Sequence, residues 1–261
     1  MPQTIKIIIS GVTGRIGRRV LKMVLQNPQF ELIAGLVSPT SADLGKDLGF
    51  LLDGDMTGKA VGVRAIESLA DVKADVVIDF ALADGFDELV DYCVLTNTAL
   101  VSGTTGINQA SFDRIGQAAK YIPLLWTSNF SLNVQIFKNL LQILKQTNPK
   151  GVFKITETHH IHKKDMPSGT AISLAQAIEP SSKMTKLNDN TFKLGQVNIA
   201  AFREGEVPGT HEVICQLDNE TITLKHESHD PGIFAEGAIN AATWIIGKPA
   251  GFYDLNAVLM G

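Results

Sequence analysis

Ile5-Lys6-Ile7-Ile8-Ile9-Ser10-Gly11-Val12-Thr13-Gly14-Arg15-Ile16-Gly17 is the stretch on which the rest of the chain is read. The apolar run Ile5–Ile9 predicts a buried strand. Apolar residues then recur at Ile16, Val20, Met23 and Val24, a helical spacing. Phe30–Val37 predicts a second strand. The order is strand, glycine turn, helix, strand, the setting in which such a turn carries meaning. A tight turn needs Gly11, where a Cβ would clash, and Gly17 lets the helix pack close to the strand. Free N–H groups at the helix start, helped by the helix dipole, attract phosphate. The spacing is GxxGxxG, with Thr13 where the dinucleotide fingerprint has its middle glycine.

That fingerprint also expects Asp or Glu at the end of the second strand, to hold ribose hydroxyls. Here the segment is Leu36-Val37-Ser38-Pro39-Thr40, and no acid follows until Asp43. The missing carboxylate removes a repulsion against a 2′-phosphate. Ser38 and Thr40 can donate hydrogen bonds, and Arg15 brings a positive charge. The reading leans to NADPH, or to use of both NADPH and NADH. Ser38 and Thr40 as plain turn residues remain the other reading.

Ser41–Asp71 reads as loop, with glycines at 45, 49, 54, 58 and 62 and a short strand near Ala60–Ala65. Asp75–Phe80, Ala99–Ser102 and Pro123–Trp126 read as strands, with helices over 84–96 and 109–120. Cys93, on the apolar side of the first of these helices, reads as a small core residue. Gly103-Thr104-Thr105-Gly106 closes one strand and Thr127-Ser128-Asn129-Phe130-Ser131 another. Turns at the carboxyl ends of buried strands are where open α/β sheets bind ligands. The alternation predicts an α/β chain with a Rossmann-type, doubly wound parallel sheet. After Pro149 the rhythm changes. Strands are expected over Val152–Thr158, Gln196–Phe202, His211–Leu217 and Thr221–His226, with helices over 131–146, 168–179 and 233–247. This is a second α+β domain with a mostly antiparallel sheet.

Composition limits the function. The 261 residues are 44% hydrophobic with a net charge of −4, so the chain can bury a core and is no general nucleic-acid binder. Two distant cysteines make no disulfide framework. No apolar run reaches a membrane span, and no charged-then-apolar leader opens the sequence, which sets a cytoplasmic expectation with no membrane partner. Of six histidines, three stand together at 159, 160 and 162.

They lie in Glu157-Thr158-His159-His160-Ile161-His162-Lys163-Lys164-Asp165-Met166-Pro167-Ser168-Gly169-Thr170. Three imidazoles and two ammonium groups crowd unfavourably unless a ligand carries negative charge. Ser168-Gly169-Thr170 opens a helix, and its hydroxyls and N–H groups suit a carboxylate or phosphate. A small dianion is the predicted ligand. A metal site and a solvated basic strand end are the competing readings; neighbouring lysines disfavour the metal. His211, His226 and His229 receive no role.

The run from His159 through Ala171 resembles the signature of the 4-hydroxy-tetrahydrodipicolinate reductase family, also called dihydrodipicolinate reductase: H-H-x-x-K, then D-x-P-S-G-T-A. Gly11–Gly17, Asp79-Phe80, Gly103–Gly106, Asn129–Ser131 and Gly251-Phe252-Tyr253-Asp254 fit in the same order. The resemblance implies reduction of 4-hydroxy-tetrahydrodipicolinate to tetrahydrodipicolinate in lysine and diaminopimelate biosynthesis. It implies His159 as catalytic acid/base and Lys163 as proton donor, with His160, Ser168, Gly169 and Thr170 on the substrate carboxylates. Nucleotide contacts would fall on Gly11, Val12, Thr13, Gly14, Arg15 and Ile16, on Gly103, Thr104 and Thr105, and on Thr127, Ser128, Asn129 and Phe130. It further implies a dinucleotide-binding domain of residues 1–130 with 233–261, a substrate-binding and oligomerisation domain of 131–232, a hinge, and a homotetramer.

The chain departs from the family in places. Many relatives carry Glu-Arg where Val37-Ser38 stands, so the cofactor choice does not carry over. The stretch between Met184 and Glu220 is short. Several relatives have an arginine between the last strand and last helix, where Ser228-His229-Asp230-Pro231-Gly232 has none. The chemistry suits the residues nonetheless. After loss of water, hydride adds at C4 of an unsaturated imine, and the enamine must take a proton on carbon. An imidazole, or a lysine beside other cations, can supply it near neutral pH. A short-chain dehydrogenase is excluded, because Tyr92, Tyr121 and Tyr253 lack a lysine four residues on. A semialdehyde dehydrogenase would need a nucleophilic cysteine in a loop. A non-catalytic NADP(H)-sensing regulator leaves the His/Lys/Ser-Gly-Thr cluster without a purpose.

Overall fold

A computed structural model describes residues 4–52, 59–70 and 72–261. Gly54, Gly58 and Asp71 of the expected loop lie outside the described residues. The chain divides into two units, one of Met1–Phe130 with Gly232–Gly261 and one of Ser131–Pro231.

The first unit holds a seven-stranded, wholly parallel sheet. Its strands are β1 (Ile5–Ser10), β2 (Phe30–Leu36), β3 (Ala65–Ile66), β4 (Val76–Asp79), β5 (Ala99–Ser102), β6 (Pro123–Trp126) and β13 (Gly251–Tyr253), ordered β13-β6-β5-β4-β1-β2-β3. Ile7, Ile8, Ile9, Val76, Val77, Ile78, Leu100 and Val101 are fully buried, as expected of strands covered on both faces. Helices α1 (Arg15–Gln26), α2 (Phe86–Thr96), α3 (Gln109–Ala118), α6 (Gly232–Ile245) and the short α7 (Leu255–Met260) complete the unit. The order reverses between β1 and β4, and ligands of such sheets sit outside the carboxyl ends at that point. Cys93 is fully buried, and burial pushes its thiol far above the ordinary range, so it is a core residue there.

The second unit is a six-stranded mixed sheet. Its strands are β7 (Val152–His159), β8 (Met184–Lys186), β9 (Thr191–Leu194), β10 (Val197–Arg203), β11 (Gly209–Gln216) and β12 (Thr221–Ser228), ordered β12-β11-β7-β10-β9-β8. Only the β7–β10 pair is parallel. Helices α4 (Leu132–Thr147) and α5 (Gly169–Ile178) belong to this unit. Phe137, Leu141, Leu174 and Ile178 pack with Phe153, Ile155, Ile199 and Val213 to form its core. Alternation along β7 therefore sends Phe153, Ile155, Glu157 and His159 to one face.

Three short strands escaped the sequence reading. β8 is wholly exposed and β9 is four residues long, so neither has the apolar run that marks a strand. β13 lies in what reads as a tail, and it closes the first sheet beside β6. The expected strand near Ala60–Ala65 reduces to β3, Ala65–Ile66. No helix of the described residues is long and apolar enough to cross a membrane.

Candidate active site

In the first unit, the turn after β1 is packed to its limit. Gly11 has φ +72°, and a Cβ there would stand 2.6 Å from the Phe80 carbonyl oxygen. A Cβ on Gly17 would overlap the Gly11 carbonyl oxygen, so α1 sits directly on the turn. Gly14 occupies the N-cap position of α1 and offers no side chain to its opening N–H groups. Helices α3, α4 and α5 are instead capped by the side chains of Asn108, Ser131 and Ser168. A backbone cradle without its own side-chain acceptor fits a pyrophosphate. Gly14 and Arg15 are exposed, Thr13 and Ile16 are half-buried, and Val12 is wholly buried, so Val12 can meet a nucleotide only through its backbone.

The other two loops stand at the carboxyl ends of β5 and β6. Asp79, buried at the end of β4, accepts 2.7 Å hydrogen bonds from the Ser102 and Thr104 hydroxyls and one of 3.1 Å from Ala81 N–H. Trp126 Nε1–H donates to the Thr104 carbonyl at 2.9 Å. The Thr104 side chain is thus committed to holding its loop, which leaves Gly103 and Thr105 for a ligand. Phe130 is buried, its ring 5.4 Å from that of Phe80. Thr127 Oγ1 is tied to the backbone of Asn129. Phe130, like Val12, has its side chain packed inside the unit.

In the second unit, β7 delivers His159 at its last residue and Glu157 two residues earlier, on the same face. Glu157 is fully buried. Its Oε1 accepts from Ser168 N–H at 2.9 Å and faces the Arg203 guanidinium at 3.4 Å. Its Oε2 lies 2.7 Å from His159 Nδ1. Burial alone would raise its pKa. The His159 ring, with the Ser168 hydroxyl and N–H, overcomes this and lowers it to about 2. His211, on β11, places Nε2 3.2 Å from Ser168 Oγ and 3.8 Å from Glu157 Oε2. Burial, with the charge of His159 adding to it, lowers the His211 pKa to about 3.

Lys163 Nζ pairs with Asp165 Oδ1 at 2.7 Å, and His162 faces Glu206 at 3.4 Å. The expected crowd of uncompensated cations is corrected in part: His159, His162 and Lys163 each face a carboxylate. His160 is half-buried, its ring 6.0 Å from that of the exposed His162. Ser168 caps α5 through Ala171 N–H at 3.1 Å, so capping absorbs its hydroxyl. Gly169 opens the helix with no heavy atom within 4 Å of where a Cβ would lie, leaving room for a ligand group. Arg203 ties this segment down, donating to the Lys163 and Asp165 carbonyls.

Glu157, His159 and His211 also form a set whose donor atoms lie within 4.8 Å of one another. Glu157 Oε2 and His159 Nδ1 stand 2.7 Å apart, an ion-pair distance, without the alignment of a straight hydrogen bond. Two ligands of a tetrahedral zinc stand roughly 3.3 Å apart. Glu157, His211 and Arg203 are the members that sequence reasoning gave no role. Glu157 was within reach of it, since i and i+2 share a face on a strand.

A glycine turn of the dinucleotide-fold kind on a parallel sheet, in a chain whose second unit carries a buried histidine and an open helix start, is the arrangement of a nicotinamide-dependent oxidoreductase. Residues 5–130 match the model described as dihydrodipicolinate reductase, N-terminus, and residues 131–259 match that of its C-terminus. The chain is 33% identical over 257 residues to the 4-hydroxy-tetrahydrodipicolinate reductase of Xanthomonas campestris pv. campestris (strain B100), covering 98% of both chains. It is 35% identical over 260 residues to that of Anaplasma marginale (strain St. Maries), covering 97% of this chain and 99% of the relative. The dipicolinate-bound dihydrodipicolinate reductase of Paenisporosarcina sp. TG-14 shares the fold, with a TM-score of 0.79 at 21% identity over 97% and 98% of the two chains. The chain belongs to the dihydrodipicolinate reductase family, an oxidoreductase family of lysine and diaminopimelate biosynthesis.

Proposed function

We propose that the chain reduces 4-hydroxy-tetrahydrodipicolinate, with its first unit binding the dinucleotide and its second unit holding the substrate's two carboxylates. Gly11–Ile16, Gly103–Thr105 and Thr127–Phe130 would hold the cofactor, which supplies a hydride to C4 when bound. His160, Gly169 and Thr170 would orient the carboxylates, with Ser168 keeping the start of α5 open to them. The His159/Lys163 pair would deliver the proton to carbon. The observation that carries this reading is the buried Glu157–His159 contact at 2.7 Å, tied by the Ser168 N–H bond to Glu157 at 2.9 Å to a helix start that has room for an anion.

The end of β2 supports NADPH, or use of both cofactors. Ser38 and Thr40 hold their hydroxyls 3.0 Å apart and exposed. The nearest following carboxylate, Asp43, is already paired with Lys46 at 2.8 Å and faces Arg18 at 3.7 Å. No free carboxylate among these residues stands to repel a 2′-phosphate. Following dinucleotide absorbance with substrate generated in situ tests the whole reading. Oxidation of NADPH at least as fast as NADH is the expected result. Tight binding without oxidation of either would favour a nucleotide-sensing regulator and overturn the enzyme reading.

We also propose the homotetramer, formed through the second unit. The face of its sheet opposite the α4/α5 core shows Val152 at 50% and Phe202 at 42% exposure, on adjacent paired strands. Sedimentation should give four times the 28.1 kDa chain mass. A monomer at micromolar concentration would contradict it.

A further inference from the structure

His159 has two ring nitrogens, and only one can face substrate with a lone pair or a transferable proton. Which one is set by what the other nitrogen meets. Nδ1 is buried and stands 2.7 Å from Glu157 Oε2; the contact is off the axis of a straight hydrogen bond, but at that distance a lone pair on Nδ1 would repel the carboxylate. Gly209 lies on the other side of the ring, where a Cβ would stand 3.0 Å from Nε2, so glycine keeps a side chain off that nitrogen.

We propose that Glu157 is a positioning residue that holds His159 with its proton on Nδ1, so that Nε2 is the atom offered to substrate. The carboxylate is itself held. Ser168 N–H and Arg203 fix Oε1, which leaves Oε2 aimed at the ring. Every charged or titratable group around the ring is consistent with this. Glu157 is an anion from β7, and its depressed pKa keeps it so. Arg203 comes from β10 and is spent on Glu157 and on the carbonyls of Lys163 and Asp165. His211 comes from β11, lies edge-on with its ring centre 5.1 Å away, and is driven neutral by burial. Lys163, in the following loop, is balanced by Asp165. None of the others is an anion within reach of Nδ1. A purely structural Glu157 would need only Oε1, for Ser168 and Arg203, and would leave the tautomer of His159 open.

The inference rests on His159 being the group that handles the proton. The test uses the full chain labelled with 15N-histidine, its His159 signals assigned by their loss in His159→Gln. Above pH 8 the wild-type ring should show the proton on Nδ1. In Glu157→Gln, the tautomer should become mixed or move to Nε2. Its kcat should fall about 10- to 100-fold while dinucleotide Kd changes by less than about twofold, the pattern of a lost orienting carboxylate. Glu157→Asp, which keeps the charge one methylene short, should recover part of kcat. A wild-type ring protonated on Nε2 overturns the inference, and so does a folded Glu157→Gln variant with unchanged kcat. If Glu157→Gln does not fold, the wild-type tautomer decides alone. A wild-type chain that oxidises no dinucleotide sinks the proposed function instead, and that outcome is read in a separate assay from the tautomer.

Discussion

Replacing both His159 and Lys163 with alanine is expected to lower kcat by on the order of 100-fold or more, the range a positioned acid supplies, while dinucleotide affinity stays nearly intact. The two side chains leave the backbone around them separately anchored. The Lys163 carbonyl accepts from Arg203, Lys163 N–H donates to the His160 carbonyl at 3.1 Å, and Glu204 N–H donates to the His159 carbonyl at 2.8 Å. Removing the Lys163 ammonium therefore takes away a charge and a proton without freeing the loop. Removing the His159 ring is harsher, because Glu157 stays buried with one partner fewer. His159→Gln keeps an amide beside Glu157 and separates loss of chemistry from loss of fold. Steady-state rates and dinucleotide titrations of the single and double variants make the measurement. A double variant with near wild-type turnover would remove both residues from the mechanism. Single variants as slow as the double would mean that the two act as one unit.

The sequence makes the first unit legible for a local reason. A strand buried on both faces is a continuous apolar run, and its glycine turn and helix follow within a dozen residues, as β1 and α1 do. The segment proposed to carry the chemistry stands out for a similar reason: His159 through Thr170 is one contiguous stretch. The rest of the site depends on strand pairing across long separations. His211 stands opposite Glu157 in the β11–β7 ladder, and Arg203 beside His159 in the β10–β7 ladder, 54 and 44 residues away in the chain. No local pattern announces such register. Reading three histidines as one cluster misled in the same way. β7 ends at His159, so that ring turns inward while His162 turns to solvent. Three members of a positive stretch in the sequence thereby meet carboxylates in the fold. Thr104 adds a second point: its hydroxyl holds Asp79, so a ligand contact at that position falls to its backbone.

The histidine left without a role is expected to set how the protein responds to acid. His211 is 4% exposed, and burial keeps its folded pKa near about 3. In the unfolded chain an imidazole titrates at roughly 6.5, so below that value the unfolded state binds a proton that the folded state refuses. Stability is therefore full above about pH 6.5 and falls as the pH drops towards 3, by on the order of 4 kcal/mol for a group shifted this far. His226 is shifted in the same direction by its own burial and adds to the loss. Glu157 acts lower down. Its folded pKa of about 2 stabilises the protein above the ordinary carboxylate range, and that contribution disappears only between about pH 4.5 and 2. The interval from 6.5 to 4.5 belongs to the histidines, and the difference between wild type and a His211 variant isolates the share of His211 within it. Urea unfolding of the full chain at half-unit steps through it should show stability falling with pH. His211→Gln, which can still meet the Ser168 hydroxyl, should reduce the slope by about one proton, or roughly 1.4 kcal/mol per pH unit, even if it is less stable at pH 7. Parallel curves for the two proteins would mean that His211 already carries a proton in the folded state. Glu157 would then face a His211 imidazolium as well as the Arg203 guanidinium, and its hold on His159 would have to be shared with His211.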